Sequence, residues 1–391
     1  MDTKVRLGII GIGNMGSEHC RIILSGKTPE IELVAVADRR SERRAWAEAE
    51  LKVPVFTEGE DLLASGLCDA VLIAVPHYQH PQLTLSALGH HLHVLCEKPI
   101  AVFTLAAREM IAAAQESDRT FALMFNQRTN CLYRKMKELL VSGEMGALKR
   151  VNWIITDWYR TQLYYDSGAW RATWNGEGGG VLLNQCPHQL DLLQWLCGMP
   201  VKIRAFCHEH QWHNIEVEDD VTAYLEYPNG ATGVFVTTTG DLPGTNRLEI
   251  TTEYGKMVCE NDQLKLWKLA VSEREYCKTA DDAFGAPSIT ITDVETDGGN
   301  PQHAGVLNAF ASHILHGTPL TARGEEGLNE LMLSNAMYLS AWQNKTVDLP
   351  FDEALFLKLL NQKCARSQPK NRRDRTFATD HSHGGKTVTK G

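Results

Sequence analysis

The sequence predicts an α/β protein in which a doubly wound parallel sheet is followed by an α+β domain with a large, mostly antiparallel sheet. Over the first 125 residues, continuous apolar strands alternate with helices, which is typical of a parallel sheet covered on both faces. From Lys149 onward, longer stretches alternate apolar and polar residues with a period of two. Asn229-Gly230 marks a hairpin between two of them, which indicates antiparallel strands with one buried face.

The strands and helices of the first part follow one another in a regular order. Each predicted strand is a short apolar run, and the runs fall at residues 5–10, 32–37, 69–75, 93–96 and 120–125. Between them the apolar residues recur with helical spacing, which predicts helices at 16–24, 41–51, 83–89 and 105–116. This repeated strand–helix order is that of a parallel sheet with helices on both faces.

The second part is predicted to be richer in strands. Period-two alternation predicts strands at 150–157, 202–207, 221–227, 231–239, 247–254 and 263–269, and helical spacing predicts helices at 303–316 and 325–344. We therefore expect one domain over residues 1–125 and a second over 126–360. The polar, basic end of the chain at 364–391 lacks periodicity and is expected to be disordered.

Composition excludes several classes of function. The chain has 391 residues, 43% of them hydrophobic, and a net charge of -9, so nucleic acid and anionic membranes are not expected partners. No apolar run reaches the roughly 18 residues of a membrane helix. Ten cysteines without a Cys-x-x-Cys pair and the absence of a leader indicate a cytoplasmic protein with reduced thiols. No metal is predicted, because the cysteine and histidines at 207–213 match no standard zinc spacing.

A glycine motif after the first strand predicts a dinucleotide site. Gly11, Gly13 and Gly16 stand between a strand and a helix, where they permit a tight turn, close approach to a pyrophosphate and helix–strand packing. Asp38 ends the second strand, where a carboxylate can bind the ribose hydroxyls of NAD. Arg39 and Arg40 follow it and can accept the 2′-phosphate of NADP, so NAD is favoured and NADP stays open.

A lysine placed where a buried strand ends indicates the chemical site. Lys98 stands between Glu97 and Pro99 at the carboxyl end of the strand at 93–96. Burying an ammonium is unfavourable unless a partner or a ligand compensates it. Open α/β sheets bind their ligands at the carboxyl ends of strands, so Lys98 is expected to face the dinucleotide cleft.

A second polar group follows a glycine-rich segment. If the chain is helical after Gly178–Gly180, the residues Asn184, His188 and Asp191 recur at i, i+4 and i+7 and share one face. An amide, an imidazole and a carboxylate aligned in this way suit a polyol, because they can donate, accept and take up a proton. The alternative is a buried, hydrogen-bonded helix face that serves packing only.

These motifs together resemble the Gfo/Idh/MocA oxidoreductases, the glucose-fructose oxidoreductase and inositol dehydrogenase superfamily. The residues that carry the resemblance are Gly11–Gly16, Asp38, Pro76 and His80, Glu97-Lys98-Pro99, Asn126-Gln127-Arg128, Trp170-Arg171, Gly178 to Asp191, and 322–350. The resemblance implies a Rossmann domain, a cis Lys98–Pro99 bond and pairing of subunits through an open sheet. It also implies that Lys98, His188 and the residue at position 184 are catalytic. The family usually has an aspartate at that position, where this chain has Asn184.

The resemblance also implies two sets of binding residues. The cofactor set is Gly11, Gly13, Asn14, Met15, Gly16, Asp38, Arg39, Pro76, His80, Glu97, Lys98 and Asn126. The substrate set is Lys98, Arg128, Trp170, Arg171, Asn184, His188 and Asp191. An aromatic group at 153–165 fits either a carbohydrate-stacking wall or the core of the sheet.

The predicted function is an NAD-dependent oxidoreductase that moves a hydride to or from a hydroxyl-bearing carbon of a sugar, glycoside or cyclitol. His188 is expected to take the hydroxyl proton, since the amide of Asn184 cannot. One alternative is a glycosidase that oxidises, eliminates and re-reduces with bound NAD. The other is a non-catalytic dinucleotide sensor. A homodimer or homotetramer is expected.

Overall fold

The first sheet has six parallel strands in the order β3-β2-β1-β4-β5-β6. The computed structural model describes residues 4–368 and residue 370. The strands are β1 (Val5–Ile10), β2 (Ile31–Ala37), β3 (Val55–Phe56), β4 (Ala70–Ile73), β5 (His93–Cys96) and β6 (Phe121–Leu123). The first helices are α1 (Asn14–Leu24), α2 (Ser41–Glu50), α3 (Gly59–Ala64), α4 (His80–Gly89) and α5 (Thr104–Glu116). The predicted doubly wound fold is confirmed.

The strand order places a crevice at the carboxyl ends of β1 and β4. The chain runs outward through β2 and β3 on one side of β1, and through β4, β5 and β6 on the other. Neighbouring connections therefore leave the sheet in opposite directions beyond Ile10 and Ile73. Ligands of open α/β sheets bind at such a switch point. The glycine motif begins there, at Gly11.

The second sheet has nine strands, and every pairing except that of β7 with β10 is antiparallel. Its order is β14-β13-β12-β11-β7-β10-β9-β8-β15. The strands are β7 (Leu148–Ile155), β8 (Lys202–Glu209), β9 (Glu218–Glu226), β10 (Thr232–Thr238), β11 (Asn246–Thr252), β12 (Gly255–Glu260), β13 (Gln263–Leu269), β14 (Ile289–Asp293) and β15 (Val347–Asp348). The predicted large antiparallel sheet is confirmed.

Further α-helices accompany the second sheet, and one of them joins it to the first domain. They are α6 (Cys131–Val141), α7 (Gln162–Tyr165), α8 (Pro187–Cys197), α9 (Glu273–Thr279), α10 (Gln302–His316), α11 (Gly327–Gln343) and α12 (Glu353–Cys364). The helix α11 is buried along most of its length and packs against β8, α8 and α5. It therefore connects the second sheet to the helix that carries His188 and to the first domain.

The structure differs from the sequence-based expectation in several places. First, the strands β3, β12, β14 and β15 are not among the predicted strands. Second, α10 packs on β1 and β2, with Val306 and Phe310 in one core with Leu7, although the predicted boundary assigns this helix to the second domain. Third, the expected disorder does not begin at 364, because Ser367 donates to Glu216 at 2.7 Å. Residues 369 and 371–391 lie outside the described residues.

Candidate active site

A cleft of about 430 Å³ opens at the crevice between the two domains. Its outer part is lined by the glycine motif and the end of β2, at Gly11, Gly13, Asn14, Met15, Asp38, Arg39 and Arg40. Its inner part is lined by residues from both domains, at Pro76, His77, Glu97, Lys98, Trp158, Arg160, Tyr164, Trp170, Arg171, Asn184, Gln185, His188 and His303. The structure thus brings most of the predicted cofactor and substrate residues to one continuous cleft.

The glycine motif forms the turn that its sequence predicts. Gly11 has a φ of +87°, and a Cβ there would lie 2.5 Å from the carbonyl oxygen of Ala74 on the neighbouring strand. A Cβ on Gly16 would lie 1.8 Å from the carbonyl oxygen of Gly11. Both positions therefore require glycine. The turn directs the N-terminus of α1 at the cleft, and a helix N-terminus favours an anion such as a pyrophosphate.

Asp38 is held in place at the outer end of the cleft. Its Oδ2 accepts from the main-chain N–H of Ile12 at 2.9 Å, and its Oδ1 accepts from the main-chain N–H of Arg40 at 2.9 Å. The Arg40 guanidinium also donates to this carboxylate, at 3.2 Å, while Arg39 donates to Glu58 at 2.7 Å. A fixed carboxylate at the end of the second strand fits the two hydroxyls of an NAD ribose.

Lys98 reaches across the cleft from the first domain to the second. The Lys98–Pro99 bond is cis, as the resemblance implied. The Lys98 Nζ donates to the main-chain carbonyl of Asn184 at 2.7 Å. Burial lowers the pKa of Lys98, and the carboxyl groups of Glu97, Glu330 and Glu177 oppose this effect. The Lys98 ammonium is therefore part of the cleft wall, where it is hydrogen-bonded to a main-chain carbonyl.

Two histidines support the strand end that carries Lys98. His19 on α1 bonds Glu97 at 2.7 Å, and both side chains are buried. Burial raises the pKa of Glu97, but the hydrogen bond and charge of His19 outweigh it and hold the pKa well below its usual range. His80 contacts the carbonyl oxygens of Pro99 at 2.8 Å and Val75 at 2.9 Å. The predicted cofactor residue His80 thus ties two strand ends together from behind the cleft and is not among its lining residues.

The predicted helical face of Asn184, His188 and Asp191 is wrong. Residues 181–186 form turns, in which the Asn184 N–H donates to the carbonyl of Gly180 at 2.9 Å, and α8 begins only at Pro187. Proline suits the first position of a helix, so the helix starts there and not at the glycine segment. Asn184 and His188 still line the cleft together, because the turn points Asn184 toward Lys98.

Besides His80, four predicted binding residues do not line the cleft: Gly16, which packs against Gly11, and Asn126, Arg128 and Asp191. Arg128 and Asp191 form a buried ion pair at 2.6 Å, and Arg128 also bonds Glu326. Asn126 is buried and donates to Oε1 of Gln302 at 2.7 Å. Arg128 and Asp191 therefore pair with each other, and neither side chain reaches the substrate half of the cleft.

Six residues of the inner cleft are in neither predicted binding set, and two of them are His77 and His303. Trp158 and Tyr164 belong to the aromatic group left undecided, and they line the cleft, whereas Trp153 is in the core of the sheet. Arg160 and Gln185 also line it. The Tyr164 ring lies under the guanidinium of Arg171, whose carbon is 4.4 Å from the ring centroid. No sequence signal separates these residues from ordinary surface positions.

Glu218 supports the glycine segment from behind. Its carboxyl oxygens accept from the N–H of Gly180 at 3.0 Å, from the N–H of Leu182 at 3.0 Å and from the hydroxyl of Tyr338 at 2.7 Å. The side chain is buried, and burial raises the pKa of Glu218 to about 8. The turn that carries Asn184 is thus bonded to an ionisable group.

We expect the Glu218→Gln variant to lose part of the pH dependence of stability. Because the carboxyl ionises near pH ~4.3 in an unfolded chain, between that pH and about 8 the folded protein holds a proton that the unfolded chain has released. In this window the free energy of unfolding falls as pH rises, by up to about 1.4 kcal/mol per pH unit from this group. Urea unfolding across the window measures the slope. Equal slopes for the two proteins would contradict the raised pKa.

Two features are absent from the described residues. Over residues 4–368 and 370, no cluster of three metal-binding side chains is present. In the same part of the chain, no helix is both long and apolar enough to cross a membrane.

Comparisons with known proteins agree with this geometry. Residues 5–125 match a family model described as oxidoreductase family, NAD-binding Rossmann fold, and residues 133–258 match the GFO/IDH/MocA C-terminal domain. An inositol 2-dehydrogenase from Rubrobacter xylanophilus is 31% identical over 49% of this chain and 52% of its own length. A trans-1,2-dihydrobenzene-1,2-diol dehydrogenase from Mus musculus is 30% identical over 62% of this chain and 71% of its length.

A solved structure is similar over nearly the whole fold. The WlbA dehydrogenase from Bordetella pertussis, in complex with NADH and UDP-GlcNAcA, has a TM-score of 0.77 and 26% identity, and the match covers 89% of this chain and 100% of that one. The match to the first curated relative spans only about half of that relative's length. The two matched domain models, in the order found here, show that the chain belongs to the Gfo/Idh/MocA family of oxidoreductases and carries its NAD-binding Rossmann domain.

Proposed function

We propose that this protein is an NAD-dependent dehydrogenase that acts on a hydroxyl-bearing carbon of a sugar, glycoside or cyclitol. One observation carries the proposal. Lys98 and His188, from different domains, line the inner part of the same cleft whose outer part has the glycine turn and Asp38. A proton-accepting imidazole and a cationic donor beside a dinucleotide site are the groups that oxidation of an alcohol requires.

The proposed roles follow from the chemistry of each side chain. When bound, NAD supplies the hydride acceptor for the carbon. His188 takes the proton of the reacting hydroxyl, since an imidazole can accept a proton near neutral pH. Lys98 donates a hydrogen bond to the same oxygen and stabilises the negative charge that develops on it. Asn184 cannot act as a base, so it binds the substrate.

The proposed substrate class has support from the cleft wall and from the relatives. Trp158, Tyr164 and Trp170 line the inner cleft, and aromatic rings stack well on the apolar faces of sugar rings. The similar proteins are named as dehydrogenases of inositol and of a dihydrodiol. A small polyol fits the names of these relatives.

We also propose a cytoplasmic homodimer or homotetramer. The outer face of the second sheet exposes the apolar side chains of Ile154, Phe206 and Tyr224. Apolar residues on an open sheet face favour covering by another subunit. The ten cysteines are all unpaired, as expected for a reducing compartment.

The test is a screen of the purified protein against a library of sugars, glycosides and cyclitols, read at the absorbance of the reduced nicotinamide. We expect reduction of NAD by at least one polyol, and weaker use of NADP because Asp38 repels a 2′-phosphate. Release of an aglycone without net NADH would favour the glycosidase. Dinucleotide binding with no turnover across the library would favour the sensor and overturn the proposal.

A further inference from the structure

Asn184 has a fixed side-chain orientation. Its Nδ2 donates to Oε1 of Glu177, and its Oδ1 lies 3.4 Å from the hydroxyl of Tyr164, which donates to it. Its main-chain carbonyl accepts from Lys98 at 2.7 Å. Asn184 therefore forms hydrogen bonds with three different neighbours, through its amide nitrogen, its amide oxygen and its main-chain carbonyl.

Glu177 is a buried carboxylate that does not line the cleft. Its side chain is about 1% exposed. The Oε2 atom accepts from the main-chain N–H of Ala172 at 2.5 Å, and the Arg171 guanidinium lies 3.9 Å from Oε1. Burial raises the pKa of Glu177, while Arg171, Ala172 and Asn184 oppose this effect. Its main-chain carbonyl also accepts from the Nδ1 of His77 at 2.9 Å, which fixes the residue from the first domain.

This arrangement determines which end of the amide faces the substrate. In the structure the Nδ2 of Asn184 donates to the Oε1 of Glu177, which accepts this hydrogen bond. Asn184 must therefore turn its NH₂ group toward Glu177 and its carbonyl oxygen toward Tyr164 and the cleft. An aspartate at position 184 would instead place two carboxyl groups within hydrogen-bonding distance, where both cannot ionise without a large cost. The asparagine and the glutamate thus depend on each other.

We propose that Glu177 is a positioning residue that holds Asn184 so that its Oδ1 accepts a hydrogen bond from a second hydroxyl, next to the one that Lys98 binds. The protein then selects a vicinal diol, because both residues line the cleft and the Lys98 donor contacts the main-chain carbonyl of the same residue whose Oδ1 is the acceptor. A substrate whose neighbouring hydroxyl is removed or methylated leaves the Asn184 oxygen with Tyr164 as its donor and its second lone pair without one. This inference rests on the proposed function, and the substrate feature that it adds is a second hydroxyl next to the reacting one.

The kinetic test compares a substrate found in the screen with its analogue that lacks the neighbouring hydroxyl. In the Glu177→Gln variant the amide of Asn184 is no longer fixed, because glutamine can both donate and accept. We expect kcat/KM for the diol to fall about 10-fold or more, mainly through KM, with little change for the deoxy analogue. Glu216→Gln is the matched control, since Glu216 is not among the lining residues of the cleft. An equal loss on both substrates would show a merely structural role and overturn the proposal.

Exchanging the carboxyl group of Glu177 and the amide group of Asn184 gives a second test, which does not require enzymatic activity. Asn184→Asp alone should lower Tm at about pH 8, because it places a second carboxylate beside Glu177. The Glu177→Gln/Asn184→Asp double variant restores one carboxylate and one amide and should recover most of that loss. Additive effects of the two substitutions on Tm would overturn the coupling even if the protein reduces NAD. Conversely, if the double variant recovers Tm but the protein oxidises no polyol, the coupling of Glu177 and Asn184 is supported and only the proposed dehydrogenase activity is contradicted.

Discussion

Replacing Lys98 with methionine is expected to lower turnover by about 100-fold or more while NAD binding is retained. Methionine keeps an unbranched apolar stem in the wall of the cleft but removes the ammonium that donates to the carbonyl of Asn184 at 2.7 Å. The reacting oxygen then loses the donor that stabilises its developing charge. NAD affinity should change little, because the glycine turn and Asp38 lie in the outer part of the cleft.

His188→Ala is expected to give a similar loss, since it removes the proposed base. Steady-state kinetics with a polyol from the screen, together with NADH titration by fluorescence, separates turnover from cofactor binding. Lys137→Met is the matched control, because Lys137 also donates to a main-chain carbonyl, that of Trp195, and is not among the lining residues of the cleft. Near-native turnover in both site variants would remove the basis for the proposed function.

Much of the fold follows from local sequence patterns. Five of the six strands described for the first sheet are short apolar runs between helices, so their positions and their parallel pairing could be predicted to within a few residues, whereas the two-residue strand β3 was missed. The strands that were missed have weaker signals. The strand β14 is exposed along its whole length, and β12 follows β11 after a tight turn at Glu253-Tyr254, so no long alternating run marks it.

The predicted site residues that the structure places at the cleft are mainly those whose position a local sequence motif determines. Gly11, Asp38 and Lys98 each stand directly after a strand, and the ends of neighbouring parallel strands meet at one edge of the sheet. The helix predicted through Asn184 failed for a local reason, the proline at 187, which begins α8. Glu177 and Tyr164 could not be predicted, because their contacts join turns that are distant from any periodic element.

Substrate roles were predicted for Arg128 and Asp191, but tertiary packing determines whether these residues reach the cleft. The spacing of residues along the sequence does not show this packing. Asp191 lies one turn beyond His188 on α8, so the two side chains leave nearby sides of the helix. The cleft lies on the His188 side, while Asp191 meets Arg128, which follows β6. The spacing is therefore consistent with a shared site, but the packing of α8 on the first domain separates the two residues.

This packing predicts a large effect of Arg128 on stability. We expect Arg128→Met to lower the free energy of unfolding by about 3–5 kcal/mol, because it leaves the buried carboxylate of Asp191 without its cation. Urea unfolding measures the change. Arg134→Met is the control, since its partner Asp297 is exposed and such a pair contributes only about 0–1 kcal/mol.

A double variant separates the buried charge from the loss of packing. Arg128→Met/Asp191→Asn leaves no charge at position 191, and only the partly exposed Glu326 loses its cation, so the double variant should recover part of the stability that Arg128→Met loses. Because neither side chain lines the cleft, the fraction that stays folded should keep the KM of the parent protein for its polyol. A raised KM with unchanged stability would instead place Arg128 in the substrate site. The ion pair is thus expected to hold α8 against the segment that follows β6, and to act on catalysis only by keeping His188 and Lys98 in one cleft.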